Sequence, residues 1–119
     1  MQKMKRKIKN ILIIAEIGVN HNQNINLAKK MIKSAKSSGA DAVKFQIYKT
    51  EEIILKNAKT APYQKRNTKV SNQFQLLKKL ELSTKNFDTL FEYAKKIKIK
   101  ASASIFDLSS ATCDGPITL

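Results

Sequence analysis

Residues 11–48, ILIIAEIGVNHNQNINLAKKMIKSAKSSGADAVKFQIY, decide the fold. The run Ile11–Ala15 is short, continuous and rich in β-branched residues, as in a parallel strand covered on both faces. Glu16 ends the apolar run and a polar turn follows. Asn24 is placed to cap a helix in which Ala28, Met31, Ile32 and Ala35 recur on one face, and Gly39 is placed to stop it. Asp41–Tyr48 then predicts a second strand, with Lys44 and Gln46 alternating onto one polar face. The stretch is one strand–helix–strand unit.

Beyond it, residues 49–72 are polar and contain Pro62, which predicts a long connection with a short helical piece at Glu51–Leu55. Long ordered connections commonly carry function. Gln73–Leu80 predicts a short helix. Ser83 caps a longer one with a stripe of Phe87, Leu90, Phe91, Ala94 and Ile97 facing the core. Lys100–Phe106 is the third candidate strand, and Ser109–Leu119 shows no period. Strands alternating with helices imply a parallel sheet with right-handed crossovers, at roughly 30 residues per unit. Three strands with so few helices cover both faces of such a sheet poorly, so the unit reads as incomplete.

A length of 119 residues allows one domain at most, and 42% hydrophobic with 27% charged residues is a globular composition. The formal net charge of +14 invites a nucleic-acid reading. Arg6 and Arg66 are the only arginines, however, and dispersed lysine lacks the bidentate fork that reads bases. Nucleic-acid binding is therefore expected to be weak and nonspecific. Cys113 is the only cysteine and His21 the only histidine, so neither a disulfide nor a two-His or Cys-rich metal set can be assembled within the chain. Glu16 interrupts the N-terminal apolar run, and no segment reaches the ~18 apolar residues of a membrane span. A cytoplasmic protein is expected. Gly18 and Gly39 stand too far apart for a Gly-rich phosphate loop.

Three polar clusters fall at the C-terminal ends of the three strands: Glu16 with Asn20, His21 and Asn22; Lys44 with Gln46; and Ser102, Ser104 and Asp107. In parallel α/β folds that rim is where ligands bind. A carboxylate, a lysine and hydroxyls at one mouth suit an anionic substrate, with lysine as point charge and glutamate as base or proton acceptor. In a plainer reading Lys44 and Gln46 snorkel, or pair with Glu16 inside a small barrel.

The segment IIAEIGVNHNQNINLAKKMIKSAKSSGADAVKFQIYK, residues 13–49, closely resembles the N-terminal part of the sialic acid synthase family, whose members include N-acetylneuraminate, legionaminate and pseudaminate synthases. APYQKRNT (61–68), LLKKLELS (76–83) and IFDL (105–108) resemble the same family in the same order and lean toward its legionaminate-type members. The likeness spans about residues 9–108 and leaves 109–119 as an atypical tail. It implies α/β architecture: about three parallel strands of an incomplete (β/α)8 TIM barrel, in a single partial domain over 1–119, without the family's small antifreeze-like C-terminal domain. It implies condensation of phosphoenolpyruvate with an N-acetylated amino sugar, in a homodimer that uses Mn²⁺ or Mg²⁺ held by histidines on later strands. Glu16 matches the glutamate near the reacting centre, Lys44 the lysine that grips phosphoenolpyruvate, and Ser104 the threonine of an STPF motif. The candidate set is Glu16 and Lys44 for catalysis, and Lys44, Gln46, Ser104, Asn20, His21, Tyr63 and Gln64 for substrate.

Gln23 stands where the family usually has glycine and Ile105 where it has proline, which predicts altered shapes for the first and third loops. A complete barrel takes about 250 residues. The expectation is thus an N-terminal piece, inactive alone, whose likeness stops as a shifted frame or early stop would leave it. The rivals are a non-catalytic remnant or complementing half of a synthase, and a small Lys-rich nucleic-acid-binding protein.

Overall fold

Parallel pairing organises the chain in a computed structural model that describes residues 11–54, 73–112 and 117–118. Strand β1 (Ile14–Gly18) pairs with β2 (Ala42–Ile47), and β2 pairs with β3 (Lys100–Ile105). Helix α1 (Ile25–Ser37) crosses from β1 to β2. Between β2 and β3 stand α2 (Thr50–Ile53), α3 (Gln73–Leu80) and α4 (Thr84–Lys96). The strand–helix alternation with parallel pairing follows the periodicity, and it matches part of the TIM barrel that the family resemblance implies.

Local chemistry sets the helix ends. The Asn24 side chain accepts from the Leu27 N–H at 3.0 Å and that of Ser83 from the Asn86 N–H at 3.2 Å, so both expected caps form. Gly39, at φ +92, follows the end of α1 in the left-handed region where only glycine is at ease.

The core lies on one face of the sheet. Val43, Phe45 and Ile47 of β2, with Ala101 and Ala103 of β3, pack against Ala28 and Ile32 of α1 and Phe87, Leu90, Phe91 and Ala94 of α4. Phe45 meets the rings of Phe87 and Phe91 edge-on at centroid distances of 5.9 and 6.4 Å, a favoured aromatic geometry. The alternate residues Lys44, Gln46, Ser102 and Ser104 are half-buried on the opposite face.

Two expectations change. The first strand runs Ile14–Gly18 instead of Ile11–Ala15, because pairing begins only where Ile14 meets Ala42. Its hydrophobic lead-in is not covered on both faces: Ile11 to Ile14 are 47 to 59% exposed. The tail is also not structureless. A 3-10 helix at Leu108–Thr112 is followed by β4 (Ile117–Thr118), which pairs in parallel with β3 and completes the order β1-β2-β3-β4. A two-residue strand is too short to leave a period in the sequence.

The predicted helical piece at Glu51–Leu55 appears as α2 one residue earlier, with Leu55 outside the described residues. Among the described residues, no helix is long and apolar enough to cross a membrane.

Candidate functional site

The polar face of the sheet is built by register. Glu16 stands opposite Lys44, Lys44 opposite Ser102, and Gln46 opposite Ser104. The Lys44 Nζ lies 2.9 Å from the Glu16 Oε2, with the two side chains 33% and 46% exposed. An ion pair this wet contributes only about 0–1 kcal/mol to folding, so an incoming anion can displace Glu16 at small cost.

A register shift between Glu16 and Gly18 bends β1 at this point. Gly18 has φ +57, and a Cβ there would lie 3.5 Å from Glu16 Oε1 and 3.8 Å from Gln46 Cδ. Glu16, Gly18 and Gln46 therefore share one small space, walled on the β2 side by Lys44. Gly18 is a site-shaping residue that the sequence reading missed. Its signal was a glycine two residues after Glu16, at the end of the apolar strand, where the chain continues through a left-handed residue.

Other sequence candidates fall elsewhere. Asn20 is exposed in the turn after β1. His21 is fully buried on the core side, 6.3 Å from the ring centroids of both Phe45 and Phe87. It does not join Lys44 on the polar face, because the turn carries it to the other side of the sheet. Its Nδ1 accepts from the Gln23 N–H at 3.1 Å, which places the ring proton on Nε2, a buried atom with no hydrogen-bond partner among the described residues. Burial pushes its pKa below the ordinary 6.5. Tyr63 and Gln64 lie outside the described residues.

The ends of β2 and β3 are tied together by Asp107. Its carboxylate accepts from the Lys49 N–H at 2.7 Å, and from the N–H and hydroxyl of Ser110 at 2.8 Å. The ladder itself continues through Phe106 N–H to Ile47 C=O at 3.1 Å. Glu81 fixes the start of α2 by accepting from the N–H and hydroxyl of Thr50 at 3.0 and 2.7 Å. The Lys78 ammonium sits 2.8 Å from Glu51 and 3.2 Å from Glu81, and the bond to Glu51, then those to Glu81, hold its pKa above the usual lysine range. Tyr48 donates to the Leu77 C=O at 2.8 Å, and burial, followed by the Glu81 charge, raises its phenol. These contacts give Lys44, Gln46 and Ser104 a stiff frame.

Among the described residues no group of three or more His, Cys, Asp or Glu could hold an ion, and His21 already spends Nδ1 on the backbone. The described residues do not by themselves fit the Mn²⁺ or Mg²⁺ that the family resemblance implies.

A family profile described as the NeuB family matches residues 31–113, running past Leu108 into the tail. The chain is 49% identical over 104 residues to the N,N'-diacetyllegionaminic acid synthase of Campylobacter jejuni subsp. jejuni serotype O:2, a match covering 87% of this chain and 31% of that protein. The Legionella pneumophila protein of the same name is 46% identical over 99 residues, covering 82% of this chain and 28% of that one. In three dimensions it is similar to the N-acetylneuraminic acid synthetase of Leptospira borgpetersenii serovar Hardjo-bovis, solved with citrate, at a TM-score of 0.66 and 30% identity. That match covers 89% of this chain and 35% of the other. The chain thus spans about a third of the length of these relatives.

Proposed function

The chain belongs to the NeuB family, and from that membership we propose that its polar sheet face is the phosphoenolpyruvate-holding part of a synthase making a sialic-type, nine-carbon acid. The observation that carries this reading is the Glu16–Lys44 pair at 2.9 Å, held in register with Gln46, Ser102 and Ser104 at the ligand-binding end of a parallel sheet.

Lys44 supplies the positive charge for the phosphate or carboxylate of phosphoenolpyruvate, while Ser104 and Gln46 offer hydrogen bonds beside it. Glu16, released from Lys44 by the bound anion, becomes the proton acceptor nearest the reacting carbon. In the reaction, C3 of phosphoenolpyruvate joins the aldehyde carbon of an N-acetylated amino sugar, water adds at C2, and phosphate leaves. The identities of 49% and 46% to legionaminate synthases favour a 2,4-diacetamido sugar over N-acetylmannosamine. The remaining rim of the site, and any metal ligands, belong to polypeptide beyond the residues described.

Calorimetric titration of phosphoenolpyruvate into the full chain tests the anion site. Lys44→Ala is expected to weaken binding about tenfold or more, the usual worth of a hydrogen bond to a charged group. Glu16→Ala, which removes only a competing carboxylate, retains it. Equal binding by the parent chain and Lys44→Ala would overturn the reading.

A further inference from the structure

His21 takes no part in the polar sheet face, yet it belongs to the same turn that leaves β1 just after Glu16. That turn is tied together step by step. The Asn20 N–H donates to the Ile17 C=O at 3.0 Å, the Asn22 N–H to the Val19 C=O at 3.2 Å and the Asn24 N–H to the His21 C=O at 2.9 Å. Gly18, Asn22 and Gln23 are all left-handed, and the last two carry side chains that resist this conformation. Such strain persists only where the surroundings over-determine it. His21 supplies that constraint: its ring is fully buried, 6.3 Å from the centroids of Phe45 and Phe87, and its Nδ1 accepts the Gln23 N–H. Phe45 lies between Lys44 and Gln46 in β2, so the ring anchors the turn to the strand that carries the other half of the site. The Glu16 side chain, by contrast, is 46% exposed, and once an anion takes Lys44 its place depends on the backbone that carries it.

We propose that His21 is a positioning residue: by accepting the Gln23 N–H it locks the turn from β1 to α1, and with it the bend at Glu16 and Gly18, so that the Glu16 carboxylate keeps its place after phosphoenolpyruvate has displaced it from Lys44. The inference rests on the reading of Glu16 as proton acceptor in the preceding subsection. Two tasks then fall to two supports. Lys44 grips the anion from β2, which is paired on both sides, by β1 and β3. Glu16 is aimed from the far side of the sheet, through a turn whose fixed point is a buried ring. Loosening that turn therefore harms proton transfer and leaves anion binding alone.

The test uses a complete barrel in which residues 13–108 of this chain replace the aligned segment of the Campylobacter jejuni relative. His21→Leu and His21→Asn are close in size, but only asparagine keeps an acceptor, its Oδ1 standing next to Cγ as the imidazole Nδ1 does. His21→Leu is expected to lower kcat about tenfold or more with KM for phosphoenolpyruvate unchanged, since displacing a reacting group by about 1 Å can cost about a hundredfold. His21→Asn is expected to recover most of that loss while melting below His21→Leu, because it buries an amide among aromatic rings. Activity and stability then run in opposite orders, which a merely structural role would not produce. In the 119-residue chain, where turnover plays no part, the Gln23 amide should exchange about fivefold or more faster in His21→Leu than in His21→Asn, the worth of one hydrogen bond. Equal exchange in the two variants, or a kcat that follows melting temperature, would overturn the proposal. Glu16→Gln separates the two readings. If it keeps full kcat, Glu16 is not the proton acceptor, the preceding reading fails and His21 has nothing to position; if it loses kcat while His21→Leu does not, His21 alone is misassigned.

Discussion

Gln23 holds φ +61, a left-handed conformation that costs an L-residue about 1–2 kcal/mol and that the family's usual glycine would adopt freely. The departure that predicted an altered first loop is thus accommodated by strain: Gln23 keeps a conformation suited to glycine, and its N–H still bonds His21. Gln23→Gly is expected to stabilise the chain by about 0.5–1 kcal/mol, the strain relieved less the added freedom of the unfolded state. Urea denaturation reads the gain, and a loss would contradict it. The mirror case is Gly18→Ala. The new methyl meets nothing closer than 3.5 Å, so the expected loss of about 1–2 kcal/mol comes from φ +57 alone. His21 gives a pH signature. Its folded pKa lies below the unfolded 6.5, so the unfolded chain binds the extra proton, and stability falls as pH drops from about 6.5 through the lowered value. Comparing midpoints at pH 7.5 and 5.0 should show that slope reduced in His21→Phe; an unchanged slope would mean that other groups cause it. The sequence marked His21 by its position after a strand. Three left-handed residues in and beside the turn, Gly18, Asn22 and Gln23, decide which side of the sheet the ring reaches, and no spacing rule carries that information.

Elements were legible where a period and a cap coincide. Asn24 and Ser83 each head a helix whose buried stripe repeats every three or four residues, and both helices appear where the pattern puts them. β1 was misplaced because Ile11–Ala15 is uniformly apolar, so nothing within it marks the start of pairing; Asp41 and Ala42 on the neighbouring strand do. The clamp of Thr50 by Glu81 escaped notice because its partners are thirty-one residues apart with no shared motif. Packing of α4 on the sheet concentrates in Phe87, which is 1% exposed and touches both Phe45 and His21. Phe87→Ala should therefore cost about 3–5 kcal/mol, a large share of the stability of a domain of this size. Phe106→Ala, at a side chain 55% exposed, should stay within about 0.5 kcal/mol. Thermal or urea unfolding distinguishes them, and comparable losses would place the core elsewhere.

At the scale of the whole molecule, the candidate site lies on one polar face of a parallel sheet ordered β1-β2-β3-β4. That face was legible because strand alternation puts Lys44, Gln46, Ser102 and Ser104 together whatever the exact strand ends. The 119-residue chain, mixed with phosphoenolpyruvate, a 2,4-diacetamido sugar and Mn²⁺, is expected to release no phosphate, since it spans about a third of the relatives' length. Phosphate release proportional to protein would contradict that expectation. The most direct measurement is made on a complete barrel: residues 13–108 of this chain replace the aligned segment of the Campylobacter jejuni relative, and kcat/KM for phosphoenolpyruvate is determined. The chimera should turn over, Lys44→Ala should lower kcat/KM about a hundredfold or more, as for loss of one electrostatic stabiliser, and Lys95→Ala should leave it unchanged. If Lys44→Ala and Lys95→Ala cost the same, Lys44 is only another surface charge and the polar sheet face is not the phosphoenolpyruvate site.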